Sequence, residues 1–262
     1  LALNWMDVTQ LSFNSLLLLD EVQLSWLPGW LEKEDLRIAL NTNPHVEWFF
    51  RHKCPQLNDW LDDVMRDRDN ILATSDEARN AEIRIMKSME DLLVYVVNPA
   101  VYDALPFTTW DDQILLDLAD FRGKTVIDVG AGTGRLTFAV APLAKFVYSV
   151  EPVSNLRKFI RAKADQRKCT NVYTVDGLIT SIPFSADFAD ILMGGHVFGE
   201  TLESEYNEMT RVVKPGGKII LFPGNTDKDN VEHAFLMAHG FHWSRLEEPQ
   251  SGWVRVYWKV VA

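Results

Sequence analysis

Cysteine is nearly missing from this chain of 262 residues: only Cys54 and Cys169 occur, far apart in sequence. Two such residues make neither a disulfide framework nor a zinc pattern, so no metal site is expected, and the usage suits a reducing, cytoplasmic setting. Long apolar runs are missing too. The longest aliphatic run, Leu16–Leu19, falls far short of the roughly 18 residues that span a membrane, and it lacks the basic flank of a signal peptide. No membrane association is therefore expected. Basic charge is in deficit, with a net charge of −11. Residues 1–105 hold 18 Asp and Glu against 9 Lys and Arg, a balance of −9, and the remainder stands at −2. Nucleic acid needs a basic face, so this balance argues against such a partner and reads as an acidic, solvated helical surface. Internal repeats and low-complexity segments are absent as well.

What the chain does have is apolar mass, 47% of residues, and one unusual run. Residues 126–134 read Val-Ile-Asp-Val-Gly-Ala-Gly-Thr-Gly. Val126, Ile127 and Val129 are β-branched, as a buried strand favours. Gly130, Gly132 and Gly134 then alternate, and a helical pattern follows from Arg135 to Ala144. Strand, glycine loop and helix let a ligand lie against bare backbone. Spacing decides which ligand. A dinucleotide fingerprint wants G-x-G-x-x-G, yet the third glycine would fall at Arg135 in one frame and Thr137 in the other. Asp128 just before the loop would repel a diphosphate and tolerate a cationic amino-acid ligand.

Beyond residue 124 strands and helices alternate. Strand patterns cover Lys124–Gly130, Phe146–Glu151, Val172–Asp176, Phe188–Met193 and Lys218–Pro223, with helical patterns over Val153–Arg167, Gly199–Val213 and Asp229–His239 between them. Lys214-Pro-Gly-Gly217 reads as a turn from helix to strand. The alternation predicts a parallel sheet with helices on both faces. Phe241–Glu248 and Trp253–Val260 follow each other with no helix between them, which predicts an antiparallel hairpin. Residues 1–105 read as helical, with patterns over Leu31–Leu40, Val46–Lys53, Gln56–Arg66 and a long one over Glu77–Val97 capped by Ser75 or Asp76. Thr109–Phe121 adds a helix before the first strand. The expected fold is α/β: a Rossmann-like seven-stranded, mostly parallel sheet with an antiparallel C-terminal hairpin over residues 106–262, plus a helical N-terminal cap over residues 1–105.

The segment Asp128-Val-Gly-Ala-Gly-Thr-Gly134 resembles motif I of the class I S-adenosylmethionine-dependent methyltransferases, and the likeness continues through the reversed last strand, over roughly 140 residues. The resemblance implies S-adenosylmethionine as cofactor, S-adenosylhomocysteine as product and a site at the carboxyl ends of the strands. It assigns Asp128, Gly130, Ala131, Gly132 and Gly134 to the donor's amino-acid end. Glu151, followed by Pro152, would take the ribose diol, because a carboxylate can accept two hydroxyl donors. Asp176 would meet the adenine amino group, with Gly177 and Leu178 bordering the base. Gly194 and Gly195 would pass close to the methyl-bearing centre. His196 stands where the family often places acceptor-side residues and is the candidate general base, with simple packing as its alternative. Tyr102 would reach the donor's methionine end, and Trp110 lies nearby in sequence.

The acceptor is expected to be a small molecule. The chain lacks the Asn/Asp-Pro-Pro-aromatic turn of amino-nitrogen methylases, and neither cysteine is placed for a carbon-5 pyrimidine mechanism. A non-catalytic S-adenosylmethionine-binding regulator or partner subunit and a protein methyltransferase remain alternatives. A polyamine synthase, with its more acidic glycine loop, is the weakest. His233, His239 and His242 are expected to be solvated rather than metal ligands. Trp5, Trp26, Trp30, Trp48 and Trp60 are either core anchors or walls of an acceptor pocket. Oligomeric state is open.

Overall fold

The computed structural model describes residues 6–66, 68, 73–105, 109–224, 227–248 and 252–262, with Glu248 described by its backbone alone. The chain forms two compact units, Leu1–Tyr102 and Asp103–Ala262. No described helix is long and apolar enough to cross a membrane.

The first unit is helical: α1 (Glu21–Ser25), α2 (Lys33–Thr42), α3 (Pro44–Lys53), α4 (Asn58–Val64), α5 (Ser75–Ser88) and α6 (Glu90–Val97), with α7 (Pro99–Asp103) at its end. Thr74, one residue ahead of the expected caps, starts α5 through a capping box with Glu77. The single helix predicted over Glu77–Val97 is broken at Met89. The Ser88 hydroxyl donates back to the Arg84 carbonyl at 3.0 Å, a bond that competes with the backbone ladder and bends the helix. Phe13, Phe50 and leucines such as Leu36 and Leu40 fill the core. The tryptophans stay outside it: Trp26 and Trp60 are half-buried, Trp30 and Trp48 are exposed, and Trp48 stacks on His52 with ring centres 4.2 Å apart. Trp5 lies outside the described residues.

The second unit opens with α8 (Asp112–Leu116), capped by Asp111 and shorter than the helix predicted over Thr109–Phe121. Then come β1 (Thr125–Val129), α9 (Arg135–Val140), β2 (Phe146–Val150), α10 (Ser154–Gln166), β3 (Val172–Val175), β4 (Ala189–Gly195), α11 (Leu202–Val212), β5 (Val213–Phe222), α12 (Val231–Ala238), β6 (His242–Glu248) and β7 (Gly252–Val260). The sheet runs β3-β2-β1-β4-β5-β7-β6. Strands β1 to β5 are parallel, and β7 is antiparallel to both β5 and β6. One core layer packs Leu115, Leu136 and Val140 on Val126 and Met193; the other packs Met209, Val212 and Leu236 on Ile127, Leu192 and Ile219. Helices thus cover both faces, as a parallel sheet requires.

Two further boundaries differ from the sequence pattern by four or five residues. Helix α9 ends at Val140 instead of Ala144, ahead of Pro142, which cannot donate to the helical ladder. Residues 214–217 are no free turn. They bulge within β5, whose pairing jumps from Ala189↔Val213 to Ile191↔Lys218, and the C-terminus pins the bulge through Gly216 N to Val261 O at 2.8 Å and Val261 N to Gly217 O at 2.9 Å.

Candidate functional site

In-register parallel pairing aligns the carboxyl ends of β3, β2, β1, β4 and β5 along one edge of the sheet. The loop after β1 is the centre of that edge. Gly130, Gly132 and Gly134 all have positive φ, +65°, +55° and +87°, a region in which a side chain is strained. Gly130 N and Ala131 N both donate to Val150 O, at 2.8 and 3.2 Å, which lays the loop over the end of β2. A Cβ on Gly130 would stand 2.5 Å from Val197, and one on Gly194 would stand 2.8 Å from it. Both glycines therefore make room for a side chain of this same protein, a role the sequence pattern did not reveal.

Asp128 is buried on β1 and faces α9. Its Oδ2 accepts from Thr137 N at 2.8 Å and Thr137 Oγ1 at 2.6 Å, and Thr137 Oγ1 lies 2.7 Å from Ser149 Oγ on β2. Burial pushes the carboxyl up to about 7 against these hydrogen bonds, which pull it down.

Glu151, just past β2, spans the glycine loop and the start of α10. Its Oε2 accepts from Gly132 N and its Oε1 from Val153 N, both at 2.9 Å. It is 5% exposed, and burial raises it to about 7, opposed by those backbone bonds and the Arg157 charge and assisted by the nearby Asp128. Each oxygen keeps a lone pair beyond its backbone bond. Pro152 O accepts from the Arg157 guanidinium at 2.8 Å.

Asp176, just past β3, is the exposed acid of the three, with 72% of its side chain open and Oδ2 3.1 Å from the Arg157 guanidinium. Gly177 is closed in by Pro183 and Val150, which a Cβ would meet at 2.7 and 2.9 Å. Leu178 bridges to Ser181 and leaves its side chain exposed.

His196 follows Gly194 and Gly195 off the end of β4. It is exposed, holds a left-handed backbone at φ +56°, and donates its N–H to Phe222 O at 2.7 Å, which brings the ends of β4 and β5 together. The loop beyond it hangs on the buried Glu205 carboxylate, which accepts from Gly199 N, Glu200 N and Thr201 N at 2.8, 3.0 and 2.7 Å. Trp110 stacks on Phe222 with ring centres 5.0 Å apart, under the Arg135 guanidinium. Tyr102 belongs to the first unit and sits edge-on to Tyr95.

The three histidines divide. His242 is exposed, but His239 stacks on Phe235. His233, expected to be solvated, has a side chain only 14% exposed; Nδ1 lies 3.0 Å from Tyr257 Oη and Nε2 3.5 Å from Asp229. Strand β7 brings Tyr257 beneath α12, a pairing across 24 residues that one sequence does not display. Among the described residues no group of three or more His, Cys, Asp or Glu is placed to hold a metal.

Residues 127–221 match the family model of a methyltransferase domain. Over 138 residues the chain is 30% identical to an uncharacterized methyltransferase of Geobacillus kaustophilus, covering 50% of this chain and 62% of that protein. Over 118 residues it is 30% identical to a demethylmenaquinone methyltransferase of Geobacillus sp. strain WCH70, covering 42% of this chain and 50% of that protein. The chain thus spans less than two thirds of the length of these relatives. A solved S-adenosylmethionine-dependent methyltransferase from Aquifex aeolicus shares the fold, with a TM-score of 0.50 and 19% identity over 63% of this chain and 99% of that one. Strand order and family match agree: the second unit carries a region similar to methyltransferase domains, in a fold shared with an S-adenosylmethionine-dependent methyltransferase.

Proposed function

We propose that this protein binds S-adenosylmethionine across the carboxyl ends of β1 to β4 and transfers its methyl group to a small-molecule acceptor by direct in-line displacement. The observation that carries the reading is the placement of three carboxylates, Asp128, Glu151 and Asp176, at the ends of three adjacent parallel strands around a left-handed glycine loop. Ionised carboxylates only accept hydrogen bonds, so Glu151 and Asp176 fit a ligand rich in hydroxyl and amino donors.

Glu151 is assigned to the ribose diol, with one remaining lone pair on each oxygen. Asp176 is assigned to the exocyclic amine of the base, with Gly177 and Leu178 beside it. Asp128 acts from below: by holding the first turns of α9 it sets the conformation of residues 130–134. When bound, the donor supplies an electrophilic methyl carbon, whose bond to sulfur breaks as its bond to the acceptor forms. The protein's work is then to align the two reactants, which converts an encounter into an effectively unimolecular step. His196, at the β4–β5 edge, is assigned to take the acceptor's proton.

Calorimetric titration with S-adenosylhomocysteine, followed by incubation with methyl-labelled S-adenosylmethionine and a metabolite extract, tests the reading. Saturable binding and a labelled small molecule are expected. No binding of either nucleoside overturns it, and binding without any labelled product reduces the protein to a binding module.

A further inference from the structure

We infer that Arg157 is the positioning residue that gives the donor site its preference for a 6-amino purine, by orienting Asp176. The inference rests on the donor site proposed above. Arg157 lies in the first turns of α10, and its side chain is 15% exposed. One guanidinium nitrogen donates to both Glu151 O, at 2.6 Å, and Pro152 O, at 2.8 Å. The other donates to Asp176 Oδ2 at 3.1 Å. A single planar fork therefore joins the end of β2, where the ribose acid sits, to the carboxylate past β3.

The division of labour follows from burial. The two carbonyl bonds immobilise the guanidinium, because its five donors are set in a rigid plane. Asp176 is 72% exposed and would otherwise sample several rotamers. Bonding Oδ2 to a fixed donor costs little further ordering and holds the carboxylate in one direction, while Oδ1 keeps its lone pairs for an incoming N–H. An ion pair open to solvent adds little to folding, so its consequence falls on recognition. Arg161, one turn further along α10, supplies an internal contrast: it donates to Thr174 Oγ1 at 2.7 Å and ties the helix to β3 without touching a strand-end acid.

The test compares S-adenosylhomocysteine with its 6-oxo counterpart S-inosylhomocysteine by calorimetry on the full chain. The unmodified protein is expected to prefer the 6-amino ligand by about tenfold, the scale of one charge-assisted hydrogen bond. Arg157→Gln should reduce that preference to under about threefold, since the directed acceptor is lost. Arg161→Gln should leave it unchanged, and in an Asp176→Asn background Arg157→Gln should change it no further. If Arg157→Gln does not fold, Arg157→Lys serves: it keeps the charge, lacks the fork and should lose the preference too. An Arg157 variant that weakens both ligands by the same factor, or an unmodified protein that binds both equally, overturns the inference and leaves the methyltransferase reading standing. Failure of the unmodified protein to bind either ligand overturns that reading itself.

Discussion

Asp128 and Thr137 meet through two bonds to a single oxygen: the Thr137 amide and hydroxyl both donate to Asp128 Oδ2. While Asp128 is ionised the Thr137 proton is committed there, and Thr137 Oγ1 accepts from Ser149 Oγ, 2.7 Å away. A buried polar chain of fixed direction therefore ties β1 to α9 and β2, and the glycine loop is strung between its anchors. Removing the central hydroxyl should be costly. Thr137→Val leaves the Ser149 hydroxyl buried without its acceptor and is expected to cost about 1–3 kcal/mol in urea unfolding. Adding Ser149→Ala should recover part of that loss, because the orphaned donor goes with it.

The burial that raises Glu151 and Asp128 to about 7 makes stability depend on pH with a definite sign. A carboxyl whose folded value lies above its unfolded one binds more protons when folded. Its favourable contribution is complete below about pH 4 and is lost as pH rises through 7. Glu151→Gln removes one such group. Its melting temperature relative to the unmodified protein should therefore move upward between pH 5 and pH 8. An unchanged difference would mean that Glu151 does not titrate in this window.

Binding should respond to the same proton in the opposite direction. Only the ionised Glu151 offers acceptors on both oxygens, so affinity for S-adenosylhomocysteine is expected to fall as pH drops below 7. Glu151→Gln should weaken binding at pH 8 by about tenfold or more and flatten that pH dependence. The calorimetric pH profile checks both.

Val197 and Gly130 form a steric pair. Gly130→Ala meets a backbone penalty of about 1–2 kcal/mol at φ +65° and a clash with Val197 on top of it. Shortening the neighbour with Val197→Ala removes the γ-carbon at 2.5 Å and should relieve part of the clash, the Val197 Cβ at 2.8 Å and the backbone part remaining. The double substitution is therefore expected to cost less than the sum of the two singles, measured by denaturant unfolding.

Glu205 holds the loop after β4 through three backbone donors. Glu205→Ala leaves them without their acceptor and is expected to cost about 3 kcal/mol. Hydrogen exchange at residues 199–201 should quicken selectively; uniform loss of protection across the sheet would point to global destabilisation instead.

His196 needs a replacement that tolerates its left-handed backbone, and asparagine does so better than alanine. His196→Asn is expected to slow methyl transfer by about 100-fold with S-adenosylhomocysteine affinity unchanged. A slowing of under about threefold assigns the proton to another acceptor.

Much of the fold was legible because its signals are local. The β-branched run Val126, Ile127 and Val129, the glycine loop, the alternation of strand and helix patterns, and two final strands with no intervening helix lead to the parallel sheet and its reversed end. Boundaries failed at Ser88, where a hydroxyl competes with the helix, and at residues 214–217, where backbone pairing with the C-terminus turns an expected loop into a bulge. Of the site, Asp128, Glu151 and Asp176 announced themselves by standing at strand ends. Thr137, Arg157, Val197 and Glu205 did not, since each acts through a partner on another element.

Local chemistry along the chain decides which residues can be strand, loop and acid, because backbone propensity and glycine's conformational freedom act over a few positions. The sequence also set the order of the three carboxylates along the chain. What each carboxylate touches follows from packing between elements distant in the chain. Burial, which no local pattern specifies, turned Asp128 into a brace for α9 and lifted Glu151 toward neutrality, and the crossing of α10 over β2 and β3 placed Arg157 between two acids 25 residues apart in the chain.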